Sequence, residues 1–146
     1  MLYYDDIDEG QIFTSPFYKL EEDHITSFAG EYDPQAFHTD ADAAKETFFG
    51  QLVASGWHTA AITMKLMVQT GMDIEGGMIG MGIDKIRWPR PTYPGDSLQV
   101  TITVKSKRLS KSRPGFGVVT VEIVTRNQND EVAQEMMTHM WVPQRT

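Results

Sequence analysis

The second half of the chain alternates between apolar and polar residues, which is the pattern of β-strands. The clearest run places its apolar side chains at Leu98, Val100, Ile102 and Val104. With this period of two, one face of an extended strand is buried and the other meets water. A second run begins at Val119, and residues 127–130 turn it into a last strand that ends near Val142. An earlier strand covers about 78–88, so the pattern predicts an antiparallel sheet.

The first half of the chain is patterned mainly for helices. After a short strand near residues 11–13, residues 21–29 have helical character and stop at Gly30. Asp40 is a helix-capping residue, and it predicts a short helix that runs through Lys45.

The longest predicted helix runs from about Gly56 to Gln69 and stops at Gly71. Its apolar residues cover most of the circumference: Trp57, Ala60, Ala61, Ile62, Met64, Leu66, Met67 and Val68. A helix that is apolar nearly all round is expected to be buried. Long antiparallel strands with one buried helix indicate an α+β fold, in which a curved sheet wraps around a central helix. No linker divides the sequence, so residues 1–146 are expected to form a single domain.

Composition narrows the class of protein. The net charge of -7 disfavours a nucleic-acid partner, because phosphate binding needs a basic surface. No apolar run approaches the length of about 20 residues that spans a bilayer, and the acidic residues 1–6 are unlike a signal peptide. We therefore expect a cytoplasmic protein with no membrane partner. Cysteine is absent and the four histidines lack paired ligand spacing, so no metal site is expected.

Asp33 and His38 are the first candidates for chemistry. They lie five residues apart in a stretch where Pro34 disfavours helix at Asp33. A carboxylate and an imidazole held together can divide a proton transfer, one taking the proton and the other giving it. The same pair is also typical of hydrogen-bonded loop residues, so the spacing alone leaves both interpretations open.

Gly56 is the second candidate, at the predicted start of the long helix. The first N–H groups of a helix have no internal partner, and that end of the helix favours negative charge. A glycine there lets a ligand oxygen approach the backbone closely. Such a site would stabilise the enolate oxygen of a thioester that gains or loses its α-proton. The structural alternative is that Gly56 only permits a tight turn into the helix.

Three segments resemble the MaoC-like, or (R)-specific, enoyl-CoA hydratases. Residues 33–38 read DPQAFH, which is similar to the Asp-x-Asn-Pro-(aliphatic)-His element of that family. Residues 49–60 read FGQLVASGWHTA and resemble its entry into the central helix. Pro91 with residues 94–96 resembles its loop before a long strand. The resemblance spans about residues 10 to 142 and implies a hot-dog fold, with a sheet wrapped around a long helix.

The resemblance also implies roles for residues. The catalytic carboxylate and imidazole of the family fall on Asp33 and His38, and its oxyanion-hole glycine falls on Gly56. Gln35 stands where Asn is usual, and we expect its amide to brace the loop in the same way. Ala36 replaces the usual Pro. The helix serine of some members aligns with Met64, so its role does not transfer.

The resemblance therefore predicts a hydratase or dehydratase of fatty-acid metabolism that interconverts enoyl and 3-hydroxyacyl thioesters. The expected substrate is an acyl-CoA, with coenzyme A present only as part of the substrate and no other cofactor. The expected assembly is a homodimer or a higher homo-oligomer. We expect further substrate contacts from four residues: Phe37, Ser55, Trp57 and Arg87.

Two other functions remain open on the sequence. Hot-dog proteins also serve as thioesterases, which typically need a carboxylate on the central helix, and residues 57–69 contain no Asp or Glu. A non-catalytic acyl-binding domain is the other alternative, and retention of both Asp33 and His38 argues against it. The sequence favours Asp33 as the base and His38 as the acid without deciding between them. It leaves the acyl chain and the carrier, coenzyme A or a carrier protein, undetermined.

Overall fold

Four long antiparallel strands form the body of the sheet. The computed structural model describes residues 1–146. Its strands are β1 (Ile12–Thr14), β2 (Tyr18–Lys19), β3 (Ile79–Arg87), β4 (Ser97–Leu109), β5 (Phe116–Arg126) and β6 (Val132–Pro143). The sheet order is β1-β4-β5-β6-β3, and β2 pairs with β4 as well. The strands expected from the alternating pattern are thus confirmed.

One face of this sheet packs on the longest helix. The helices are α1 (Glu22–Tyr32), α2 (Ala36–Thr39), α3 (Ala41–Ala44) and α4 (Gly56–Met67). In register, Ile102 of β4 lies opposite Ile123 of β5, and Ile123 lies opposite Met136 of β6. These side chains join Ile62 and Leu66 of α4 in one buried core. The arrangement is the expected α+β hot-dog fold, with an open sheet curved around a central helix.

β3 is an edge strand with a bulge. Its pairing with β6 shifts register between Gly80 and Gly82, so Met81 has no partner. Gly82 has a φ of 153°, a conformation that costs other residues more than glycine. A bulge adds one residue to a strand and bends it.

α1 runs past its predicted stop. The helix continues through Gly30 to Tyr32 and ends at Asp33, whose φ of -153° and ψ of 67° are not helical. The proline at 34, rather than the glycine, therefore ends the helix. The stretch that follows Pro34 contains the single helical turn of α2. α3 begins as expected, because Asp40 accepts hydrogen bonds from the N–H groups of Asp42 and Ala43.

α4 is buried on one face only, which corrects the expectation of a helix covered all round. Its core-facing residues include Ile62, Thr63 and Leu66. The opposite face is exposed, because the sheet of a single chain covers only one side of the helix. The exposed apolar residues are Trp57, Met64 and, at the C-terminal end, Val68. No helix of the structure is both long and apolar enough to cross a membrane.

Candidate active site

The end of α1 and the turn of α2 bring Asp33 and His38 together. Nε2 of His38 lies 3.3 Å from Oδ2 of Asp33. His38 is buried, with 8% of its side chain exposed, and Asp33 keeps 17%. The backbone reversal at Asp33 and Pro34 folds the short helix α2 back beside the end of α1. The five-residue spacing thus becomes a direct contact between carboxylate and imidazole.

A backbone carbonyl orients the His38 ring. Nδ1 of His38 lies 2.7 Å from the carbonyl oxygen of Val53, and the Val53 N–H donates in turn to the Phe37 carbonyl. A carbonyl only accepts, so the hydrogen of neutral His38 is on Nδ1. Nε2, which faces Asp33, therefore carries a hydrogen only when the ring is protonated. When His38 is an imidazolium and Asp33 a carboxylate, Nε2 can donate its hydrogen to Oδ2, and the two groups have opposite charges.

Two further donors hold the Asp33 carboxylate. Gln35 Nε2 donates to Oδ1 at 2.5 Å, and Ser55 Oγ donates to Oδ2 at 2.7 Å. Burial raises the pKa of Asp33, but these two hydrogen bonds and the charge of His38 outweigh burial and lower its pKa below the usual value. Asp33 is thus kept ionised. The Gln35 contact confirms that the longer amide braces this loop.

Gly56 begins α4 and leaves its N–H free. Ser55 caps the helix, since its Oγ accepts from the Trp57 N–H at 3.2 Å and its carbonyl accepts from the His58 N–H. The Gly56 N–H donates to no group of the chain. A Cβ at this position would lie 2.7 Å from the Trp88 ring, so no larger residue fits without moving that ring. Gly56 was expected to let another group approach its backbone closely, and within the chain that group is the Trp88 ring.

His38 and Gly56 line the same cavity, which has a volume of about 370 Å³. Its wall is formed by residues 48–49 and 53–54, by Thr59 of α4, and by residues 88–92. Arg90 is the only basic side chain in this wall other than His38, and it forms an ion pair with Glu131 at 2.7 Å. A concave, mostly apolar space with a few convergent polar groups is typical of a small-molecule site.

The four residues expected to contact substrate lie outside this wall. Phe37 packs edge-on against the rings of His38 and Phe49, and Ser55 is buried behind the cavity on Asp33. Trp57 is exposed and meets the edge of Trp88. Arg87 is exposed on β3, and Arg90, three residues later, reaches the cavity instead. Phe37 and Ser55 thus support the Asp33–His38 pair from behind.

Sequence reasoning missed Trp88 and Thr59 as parts of the cavity. Thr59 lies one helical turn after Ser55 on the buried face of α4, a spacing that the helix prediction already contained. Trp88 had no such signal, because only the pairing of β3 with β6 brings it onto Gly56. The basic residues of β4 and of the loop after it do not line the cavity: Lys107 donates to the Tyr4 carbonyl, and Arg113 lies over the Trp141 ring.

Residues 8–127 match the family model described as MaoC like domain. A crystal structure of the MaoC-like dehydratase from Rhodospirillum rubrum has a TM-score of 0.95 and 45% identity, covering 100% of this chain and 99% of that one.

Curated relatives agree with the family match. The uncharacterized protein YdeM of Bacillus subtilis is 32% identical over 86% of this chain and 88% of its own length. Mesaconyl-CoA hydratase of Haloarcula hispanica is 30% identical over 68% of this chain, which spans only 26% of that protein. The chain belongs to the MaoC-like dehydratase family.

Proposed function

We propose that this protein is a hydro-lyase that adds water to the double bond of an α,β-enoyl thioester and removes it again from the 3-hydroxyacyl thioester. The observation that carries the proposal is the Asp33–His38 pair, in contact at 3.3 Å, beside a cavity that is also lined by Gly56, whose N–H donates to no group of the chain. The pair can move protons, and the N–H can hold an oxygen that becomes negative.

In the proposed hydration, a water molecule that is hydrogen-bonded to both Asp33 and His38 attacks Cβ. Asp33 takes one proton of this water as the new C–O bond forms. The electrons of the double bond move toward the thioester carbonyl. As its oxygen becomes enolate-like, it accepts a hydrogen bond from the Gly56 N–H. The Nε2 hydrogen of protonated His38 then passes to Cα, and the carbonyl double bond re-forms.

The pair then resets by one proton transfer. After hydration Asp33 is a carboxylic acid and His38 is neutral, with its free Nε2 facing Oδ2. The proton on Asp33 returns to His38 across this contact and restores the starting ion pair. The hydrogen bonds from Gln35 and Ser55 favour this return, because they stabilise the carboxylate form of Asp33. The reaction is redox-neutral, so the proposal needs no cofactor beyond the coenzyme A of the substrate.

The comparison with mesaconyl-CoA hydratase supports coenzyme A as the carrier of the acyl group; the acyl group of that relative is not carried over, because this chain spans only 26% of that protein. Thioester hydrolysis is less well supported, because α4 contains no carboxylate that would activate water toward the carbonyl. A purely acyl-binding role does not account for a largely buried carboxylate–imidazole pair that the Val53 carbonyl, Gln35 and Ser55 hold in place.

The direct test is loss of enoyl-thioester absorbance with crotonyl-CoA. We expect turnover by the wild type and a loss of at least a hundredfold in both His38→Ala and Asp33→Asn. Matched controls are His24→Ala and Asp42→Asn, which change the same residue types at exposed positions. Near-normal turnover in Asp33→Asn would mean that the pair is structural.

The same samples separate the alternatives. A thiol reagent reports free coenzyme A cleanly, because the protein itself contains no cysteine. Thiol release without hydration would indicate a thioesterase. Binding without either reaction, across short, branched and long enoyl thioesters, would indicate an acyl-binding domain.

We also propose that the protein acts as a homodimer joined at β3. This strand is an open edge of the sheet, and Ile79, Met81 and Ile83 on it are exposed. A second exposed apolar set is formed by Trp57 and Met64 of α4 and by Val68, which directly follows this helix. Open edges and contiguous apolar surface are typical of a surface that pairs with another chain. A second copy of β3 would satisfy the free backbone groups of the first.

A further inference from the structure

Trp88 closes the cavity beside Gly56. Its indole carbons lie 2.7 to 2.9 Å from the position that a Cβ on Gly56 would occupy. The same ring lines the cavity that contains His38. A thioester carbonyl that accepts the Gly56 N–H would therefore have the Trp88 ring as its immediate neighbour. The carbon next to that carbonyl, C2, would lie against the ring as well.

A buried side chain on β6 fixes this ring. Trp88 Nε1 donates to Oε1 of Gln134 at 2.9 Å, and Gln134 is completely buried. The amide nitrogen of Gln134 donates to Thr63 Oγ1 at 3.3 Å, and Thr63 Oγ1 lies 2.7 Å from Thr125 Oγ1. This chain of polar groups crosses the core from the cavity wall through α4 to β5.

The position of Gln134 is unusual for an amide. Its strand neighbours Ala133 and Met136 are apolar core residues, and an amide buried among them costs free energy unless its groups are hydrogen-bonded. Both ends of the Gln134 amide are paired, and one of the two partners is the cavity wall. A leucine would fill the same volume but would leave Trp88 free to change rotamer.

We propose that Trp88, held by Gln134, sets the width of the acyl group next to the thioester carbonyl. The site then takes enoyl thioesters that are unbranched at C2 and excludes those with a methyl group there. This inference rests on the proposed function. Trp88 is the specificity-determining residue, and Gln134 is a positioning residue that acts through it.

The test compares crotonyl-CoA with 2-methylcrotonyl-CoA in the wild type, Trp88→Leu and Gln134→Leu. We expect the wild type to prefer crotonyl-CoA by at least a hundredfold in kcat/KM, and each variant to reduce that ratio at least tenfold. The double variant should lose no more of the ratio than Trp88→Leu alone, because the two residues act as one unit. Thr120→Val is the control, since it removes one hydrogen bond to His139 away from the cavity.

The ratio distinguishes specificity from damage to the fold. A variant that is only destabilised loses both rates in the same proportion, so an unchanged ratio overturns the inference while the proposed function stands. If the wild type hydrates neither thioester, the proposed function fails. In that case, affinities for butyryl-CoA and 2-methylbutyryl-CoA, measured by calorimetry, test without catalysis whether Trp88 excludes a methyl group at C2. An equal affinity ratio in wild type and variants, or no binding of either thioester, overturns the inference.

A measurement without substrate tests the role of Gln134 directly. In the ¹⁵N NMR spectrum, the indole N–H of Trp88 should exchange slowly with water in the wild type and rapidly in Gln134→Leu. The indole signals of Trp57 and Trp141 serve as internal references, because neither indole N–H hydrogen-bonds to Gln134. Equal exchange of Trp88 in both proteins overturns the positioning role.

Discussion

His58 should make the stability of the fold depend on pH. It lies two residues after Gly56 on the buried face of α4, and its ring stacks on Phe28 with centroids 4.4 Å apart and an interplanar angle of 5°. Nδ1 of His58 is buried and has no hydrogen-bond partner. Burial, and then the charge of His24, lower the pKa of His58 from 6.5 to about 4. Protonation of this ring therefore opposes folding.

The sign and size of the effect follow from the two pKa values. Between pH 6.5 and pH 4 the unfolded chain binds a proton at His58 and the folded chain does not. The stabilisation is complete above the unfolded pKa and is lost as pH falls toward the folded one. From His58 alone, proton linkage lowers the free energy of unfolding by about 2 kcal/mol between pH 7 and pH 5.

The assay is urea denaturation at pH 7 and pH 5 of the wild type and His58→Leu. Leucine keeps the apolar contact with Phe28 and removes the titrating ring. Other ionisable groups are present in both proteins, so they cancel in the difference. Over this pH range we expect the free energy of unfolding to fall by about 2 kcal/mol more in the wild type than in the variant. The lowered pKa of Asp33 acts in a separate window below pH 4 and does not interfere.

Parallel stability curves for the two proteins would refute this reasoning. They would mean that the His58 ring is hydrated or paired in solution, so that its protonation costs nothing. A steeper loss in His58→Leu than in the wild type would reverse the sign and would have the same consequence.

Two other predictions concern the support of the site and the assembly. Ser55→Ala should lower kcat/KM between about ten- and a hundredfold, because it removes a hydrogen bond to a charged group. It should also move the acid limb of the pH profile of kcat/KM to higher pH, because the pKa of Asp33 rises when the Ser55 hydrogen bond is lost. The exposed Ser27→Ala is the control. An acid limb that does not shift, or an equal effect of Ser27→Ala, would contradict this prediction. Ile83→Lys on the open edge should shift the mass found by light scattering from dimer to monomer, whereas Leu109→Lys, equally exposed on β4, should not. A monomeric wild type would overturn the proposed dimer.

Local patterns in the sequence were enough to predict the elements of this fold. The period of two from Leu98 onward and the apolar residues of α4 predicted the sheet and its central helix, because each pattern reports which face of an element is buried. The motif at residues 33–38 indicated Asp33 and His38, whose contact depends only on a short backbone reversal. The end of α1 was misplaced at Gly30, because the effect of Pro34 on the preceding residue outweighs the low helix propensity of a glycine.

The walls of the cavity were decided only by tertiary structure. Trp88 and Gln134 are 46 residues apart, and nothing local to either one predicts that they meet. Their contact depends on the register between β3 and β6, including the bulge at Gly82. The same is true of the exposed face of α4: its composition resembles that of a fully buried helix, and only the packing of the sheet determines which face is left uncovered. A sequence records the preference of each residue for burial, whereas the partner that buries it is a property of the folded chain.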